Sequence, residues 1–439
     1  MSEHPGEVVD LLQQMIRNEC VNDGGPDSGG ESRNADLLES YFAGAPVDVV
    51  RVGRTAGRDS LVARIEGSDP DAPSLLLMGH TDVVPATAEG WQHDPFGGGI
   101  HDGMVWGRGA IDMYNLTSSM AVAFRRLART GWRPRGTLIY LAVADEEAGG
   151  THGAQWLVDH EWDLVGADYV LTEGGGMSVT TPSGRRSMVS VAEKGMYATR
   201  ITVHGTPSHG SRPYDTDNAL VKAAEVVRRL SEFNGTPRID AAWTEYVATM
   251  GYSPLLLDPD RFADGLAVLP ADHARLAHAL THLTISPNVL HSGDKTNTVP
   301  GAAVLDVDVR LLPGQSKEDL LAVLAQALGS LYDEVDLEFF NETVPSTSEP
   351  DGPLWHALGS ASRRLQPDVT PMPSLMTGGT DARFFRAKGA SAYGFGMFSD
   401  RITLAQWQSM FHAQNERVDL ESLRLSVDLW EMLARELLE

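Results

Sequence analysis

A single cysteine, Cys20, stands in the 439 residues. One thiol allows neither an internal disulfide nor a thiolate cluster, so any metal must be held by His and carboxylate groups. Basic residues are scarce as well. Lys+Arg number 35 against Asp+Glu 60, for a net charge of −25, and the lysines are Lys194, Lys222, Lys295, Lys317 and Lys388. A surface this negative repels phosphate backbones and anionic lipid, which argues against nucleic-acid and membrane-surface roles. No apolar run approaches the ~18 residues needed to span a bilayer. The stretch Met1 to Asp10 carries Glu3, Glu7 and Asp10 and has no leader-like apolar segment. The location expected is cytoplasmic. What is present, 42% hydrophobic and 22% charged residues, suffices for a buried core, and at roughly 150 residues per domain two domains are expected.

The first third alternates short apolar runs with helical periodicity. Val8 to Cys20 is amphipathic, Ser74 to Met78 is an apolar run, Asn115 to Arg129 suits a helix, and Gly136 to Ala144 and Tyr169 to Thr172 are further apolar strands. Continuous apolar strands separated by helices predict an α/β fold whose mostly parallel sheet is covered by helices on both faces. From Met196 the pattern becomes strict alternation (Tyr197, Thr199, Ile201, Val203), which suits an antiparallel sheet with one wet face. Asp217 is placed to cap a helix beginning at Asn218. A further strand, Gly301 to Leu311, ends at Pro313-Gly314, after which helices and strands alternate again up to the amphipathic helix Glu421 to Leu438. The division expected is a discontinuous α/β domain, 1–194 and 313–439, with a smaller α+β domain, 195–312, inserted into it.

Three successive apolar strands stop in groups able to ligate metal: His80-Thr81-Asp82, Asp145-Glu146-Glu147, and Glu173 before three glycines. Asp112 precedes a helix between the first two. In open parallel sheets, sites gather at the carboxyl ends of the strands. Any one of these acids could cap a helix or a turn, but three endings on one edge require a site. Two like charges 4 Å apart cost about 4 kcal/mol even at an effective dielectric of 20, so the cluster needs cations. Imidazole and carboxylate without thiolate suit zinc, cobalt or manganese. Asp112, Glu147 and Glu173 supply the negative charge that a pair of divalent ions balances. His80 and Asp82, two apart on an extended segment, face the same way, as a ligand and its orienting carboxylate do.

His80-Thr-Asp-Val-Val-Pro85, Gly107-Arg-Gly-Ala-Ile-Asp112-Met113, Asp145-Glu146-Glu147 and Thr377-Gly-Gly-Thr-Asp381, in this order, resemble the motifs of the zinc metallopeptidase family of acetylornithine deacetylase, succinyl-diaminopimelate desuccinylase, aminoacylase and glutamate carboxypeptidase. The resemblance implies two divalent metal ions, zinc foremost. His80 and Glu173 would hold one, Glu147 and His412 the other, and Asp112 would bridge them beside a cis peptide bond. It implies Glu146 as general base and acid, Asp82 as the group orienting His80, and His209 in His204-Gly-Thr-Pro-Ser-His209 as the oxyanion donor, often across a homodimer. Asn297 and Arg310 would bind the substrate's carbonyl and carboxylate, with Gly379 and Thr380 lining the pocket. One departure is that Asp112 is followed by Met113-Tyr114-Asn115, where many relatives carry a short residue, Lys and Gly.

The reading is a di-zinc hydrolase of an amide bond next to a free carboxylate, acting on an N-acylated amino acid or short peptide. A two-metal esterase or phosphohydrolase and a catalytically idle binding relative stay open as alternatives. The run Gly97-Gly98-Gly99 lacks the Lys-Ser/Thr of a phosphate loop and is a turn.

Overall fold

The computed structural model describes residues 6–26 and 28–439, so the first five residues of the stretch read for a leader lie outside it. The chain divides into two compact units. One runs up to Val191 and resumes as Thr347–Ser374 and Thr380–Glu439; the other is Ala192–Ser346 with Leu375–Gly379.

In the first unit the apolar runs form the middle of a sheet. Leu75–His80 pairs in parallel with Leu138–Val143 on one side and Tyr169–Thr172 on the other, and Ser391–Gly394 adds in parallel to Tyr169–Thr172. Antiparallel strands continue it outward: Ser60–Ile65 and Asp48–Val52 at one margin, Gly184–Glu193 at the other. Every residue of Leu75–His80 and Leu138–Val143 is buried, because both faces are covered, as parallel sheets require. Leu76, Met78, Ile139 and Leu141 pack against Leu157 and Phe385 of the helices Ala154–His160 and Ala382–Ala387. On the opposite face Tyr140 meets Phe42 and Phe124, and Trp430 of the helix Leu420–Leu438 donates to Ser119 Oγ at 3.0 Å.

Gly79 explains how the helix Tyr114–Arg129 comes close to the strand before His80. A Cβ there would stand 2.4 Å from Thr117 Oγ1, and in its absence Thr117 Oγ1 donates to the His80 carbonyl at 2.9 Å. The helix begins at Tyr114, whose hydroxyl donates to the Thr81 carbonyl at 2.9 Å. The tyrosine that departs from the family pattern thus braces the His80-Thr81-Asp82 segment. No described helix is long and apolar enough to cross a membrane.

The second unit is a four-stranded antiparallel sheet in the order Thr284–Ser292, Ala302–Leu311, Gly195–His204, Val335–Glu342. Ile201, Val203, Leu305 and Val307 face Ala223, Val226, Leu320 and Leu324 of the helices Ala219–Glu232 and Lys317–Leu328. This places 313–346 in the inserted unit, where the sequence reading ended it at 312. Val335–Glu342 pairs along the free edge of Gly195–His204, so Pro313-Gly314 is a turn within the unit. The helix cap also moves by one residue. Asn218 accepts from Leu220 N at 2.9 Å, while Asp217 pairs with Lys222 at 2.7 Å.

Candidate metal centre

The carboxyl ends of three buried strands, the loop before the helix Tyr114–Arg129 and the turn at His412 bring five side chains into two groups that share one member. His80, Asp112 and Glu173 form one, and Asp112, Glu147 and His412 the other; within each, the ligand atoms lie within 4.8 Å of one another. His80 Nε2 is 3.2 Å from Asp112 Oδ1 and 3.8 Å from Glu173 Oε1. His412 Nε2 is 3.3 Å from both Asp112 Oδ2 and Glu147 Oε2. The two oxygens of Asp112 therefore face different imidazoles. A tetrahedral ion with bonds of about 2.1 Å spaces its ligand atoms about 3.4 Å apart, which is the separation found. Glu147 Oε1 is buried without a partner, an acceptor awaiting a cation. The donor set fits a pair of divalent ions. The Asp112–Met113 peptide is cis.

The charges point the same way. Burial raises the carboxyls of Glu173, Glu146, Glu147 and Asp82 above the ordinary range. Burial works against ionised Asp112 too, but hydrogen bonds from His412 and His80 hold it low. Hydrogen bonds to Asp112 and Glu147 push His412 up to about 10. His80 is raised by Asp112, Glu173 and Glu146 in spite of its burial. The cluster thus favours positive charge at both imidazoles, the demand that metal ions would meet.

Each ligand has a local reason for its position. His80 ends its strand, and its Nδ1 donates to the main-chain carbonyl of Asp82 at 2.9 Å, leaving Nε2 for a ligand bond. The Asp82 carboxylate, expected to orient His80, stands 3.7 Å from that Nδ1. It is occupied instead by Glu146 N at 3.2 Å, Glu147 N at 3.0 Å and Asn22 Nδ2 at 2.9 Å. Asp145 adopts φ 71°, and Glu146–Ala148 forms a single 3-10 turn. Of the adjacent pair, Glu147 joins a ligand group and Glu146 joins neither. His412 also lies in the left-handed region, at φ 54°, a conformation that its surroundings must hold in place.

Sequence reasoning missed Glu416. Fully buried, it accepts from Arg108 Nη1 at 2.8 Å, Gly109 N at 3.1 Å, Ile111 N at 2.6 Å and Asp112 N at 2.9 Å. One carboxylate thereby holds the loop that presents the shared ligand. No motif marks it, because its partners lie some 300 residues earlier in the chain.

In the second unit, His209 lies in a short ribbon, Ser208–His209 with Thr298–Val299, beside Asn297, whose carbonyl accepts from Gly210 N at 2.8 Å. His209 Nδ1 accepts the Ser211 N–H at 3.1 Å, so in the neutral ring the proton sits on Nε2, ready to donate. Arg310 is engaged bidentately by Asp308, at 2.7 and 3.1 Å, so its fork already holds a carboxylate. Gly379 is exposed. Thr380 is buried, and its hydroxyl accepts from Ala382 N at 3.2 Å, so that side chain serves a helix start.

Residues 76–436 match the model of peptidase family M20/M25/M40. The chain is 27% identical to aminoacylase-1 of Mus musculus over 434 residues, 98% of this chain and 94% of that one. It is 28% identical to the succinyl-diaminopimelate desuccinylase of Cereibacter sphaeroides over 397 residues, 87% of this chain and 89% of that one. Among solved structures, an M20 family metallo-carboxypeptidase from Sulfolobus solfataricus shares the fold, with a TM-score of 0.76 at 18% identity over 100% of this chain and 99% of that one. The chain belongs to peptidase family M20/M25/M40, and it is a metal-dependent hydrolase.

Proposed function

We propose that the protein hydrolyses an amide or peptide bond next to a free carboxylate, with two divalent ions, zinc foremost, held through the shared Asp112. The observation that carries this reading is the pair of three-residue ligand groups meeting at that one carboxylate. When bound, the two ions would polarise the scissile carbonyl and lower the pKa of water at the site. Glu146 takes the proton of the attacking water and passes it to the leaving nitrogen, a role suited to a carboxyl whose affinity for protons is raised by burial. His209, with its proton on Nε2, donates to the oxyanion. Asn297 and the backbone of Gly379 and Thr380 hold the acyl portion. Arg310 takes the substrate's carboxylate in the fork that Asp308 now fills, a swap of one bidentate anion for another.

The decisive experiment is a hydrolysis screen over N-acyl amino acids, dipeptides and a phosphoester with zinc, cobalt or manganese added. Cleavage of the amides is the expected result. Phosphoester cleavage alone would overturn the reading, and so would a purified protein that retains no metal. Glu146→Ala should keep both ions by metal analysis and lose turnover by about 10²–10⁴-fold. The reading also carries a cytoplasmic location and a homodimer joined through the inserted unit; the exposed Val289 and Leu290 on its edge strand support the assembly alone. Sedimentation of the purified protein tests the assembly, and cell fractionation its location.

A further inference from the structure

Beneath the turn that carries Glu146 and Glu147 lie two carboxylates that belong to neither ligand group, Asp82 and Asp145, with 0% and 1% exposure. Asp82 accepts both backbone N–H groups of the turn. Asp145 accepts from His152 N at 2.8 Å through its side chain, and its carbonyl accepts from Gly150 N at 2.7 Å. Asn22 joins the two, its Nδ2 standing 2.9 Å from Asp82 Oδ2 and 3.3 Å from Asp145 Oδ1. One guanidinium closes the cluster. Arg58, itself buried, pairs through Nη1 with Asp145, and its Nη2 reaches Asn22 Oδ1 at 3.3 Å, Ser28 Oγ at 3.2 Å and the Gly25 carbonyl at 3.2 Å.

We propose that Arg58 is a positioning residue, the counter-charge that fixes Asp145 and, through Asn22 and Asp82, the aim of Glu146 and Glu147. Asp145 holds a left-handed backbone at the start of the turn, a conformation that persists only where its surroundings over-determine it. A buried carboxylate stripped of its cation must find water or another donor; with only His152 N and Asn22 Nδ2 left to its side chain, Asp145 would be drawn out of that conformation. Asn22 would then lose one of its two acceptors, and the Asp82 carboxylate its fixed orientation under the turn. No sequence motif flags Arg58, because its partner lies 87 residues away.

The inference rests on the hydrolase reading for its turnover arm alone. The test compares Arg58→Met, Asp145→Asn and their combination. Its readouts are zinc affinity by chelator competition, kcat and KM on the best substrate of the screen, and melting temperature. Arg58→Met should weaken zinc affinity or lower kcat by about 10–100-fold, with KM little changed. Adding Asp145→Asn should recover part of that loss, since no unpaired charge then remains. Wild-type zinc affinity and kcat in a folded Arg58→Met protein would overturn the proposal, even if its melting temperature fell. So would a double variant no better than the sum of its parts. Should Arg58→Met fail to fold, the combination decides. A folded double variant with zinc affinity below wild type supports the proposal; wild-type affinity, or failure to fold, overturns it. If wild type cleaves nothing in the screen, the hydrolase reading fails while the zinc arm still judges Arg58.

Discussion

Glu416 concentrates at a single residue what the site demands of its surroundings. Its two oxygens satisfy three backbone N–H groups of the 107–112 loop and the Arg108 guanidinium. Glu416→Ala would strand those donors in the interior, and breaking a buried charge pair in this way costs about 3–5 kcal/mol. Because the loop ends in Asp112, the same change should loosen both ligand groups at once. Denaturant unfolding and chelator competition on one preparation check the two effects, and wild-type metal affinity would show that the loop is held by other means. Residues of this kind explain where sequence reading stops. His80, Glu147 and Glu173 were legible because each follows an apolar strand and Asp112 because it ends a glycine-rich segment before a helix, whereas His412 was placed by the family resemblance alone. Glu416, Asn22 and Arg58 are ordinary polar residues whose meaning comes from partners distant in the chain. The Asp82 carboxylate was legible as a neighbour of His80, but the backbone donors of Glu146 and Glu147 that it also accepts were not: spacing along a strand says which way a side chain faces, not which donors reach it.

Among the elements, the buried strands were the most legible, since unbroken apolar runs such as Leu75 to Met78 leave little choice of partner environment. The end of the inserted unit was the least. Pro313-Gly314 looks like a border, and the pairing of Val335–Glu342 with Gly195–His204 joins segments some 140 residues apart that no local signal connects. The contact between the strand Leu75–His80 and the helix Tyr114–Arg129 invites a test at this scale, because His80 ends the first and Asp112 lies just ahead of the second. In Gly79→Ala the added methyl would press on Thr117 Oγ1 and Cα, 2.4 and 3.0 Å away, and the helix must yield. A loss of about 1–3 kcal/mol is expected, with weaker metal retention. Calorimetry and metal analysis read these, and a variant as stable as wild type would mean that the two elements are not in firm contact.

For the whole molecule, the site ties stability to pH in a direction that metal reverses. Burial pushes the carboxyls of Glu31, Asp381 and Glu416 up to about 7, while the unfolded chain releases those protons near pH 4. Between about pH 4 and 7 these three groups therefore hold protons in the metal-free folded state that the unfolded state has lost, and their contribution to stability falls as pH rises, outnumbering the opposite contribution of His282, which burial holds down to about 4. His412, raised to about 10, extends the decline: its contribution is complete below about pH 6.5 and is lost toward pH 10. Metal binding needs His412 and the ligand carboxylates deprotonated and strengthens with pH. Thermal melts from pH 5 to 8 should show the metal-free protein weakening and the gap to the zinc-loaded protein widening. A gap that stays constant would sever the link between the carboxylate cluster and metal.

The two ligand groups are unequally sheltered. His80 is sealed inside at 1% exposure, whereas the His412 side chain is 59% exposed. In the proposed two-ion site the ion at the outer imidazole would be the one to trade with the surrounding solution, and the inner one would leave only after it. The protein would lose its metals in sequence, passing through a half-loaded form with its inner ion still in place.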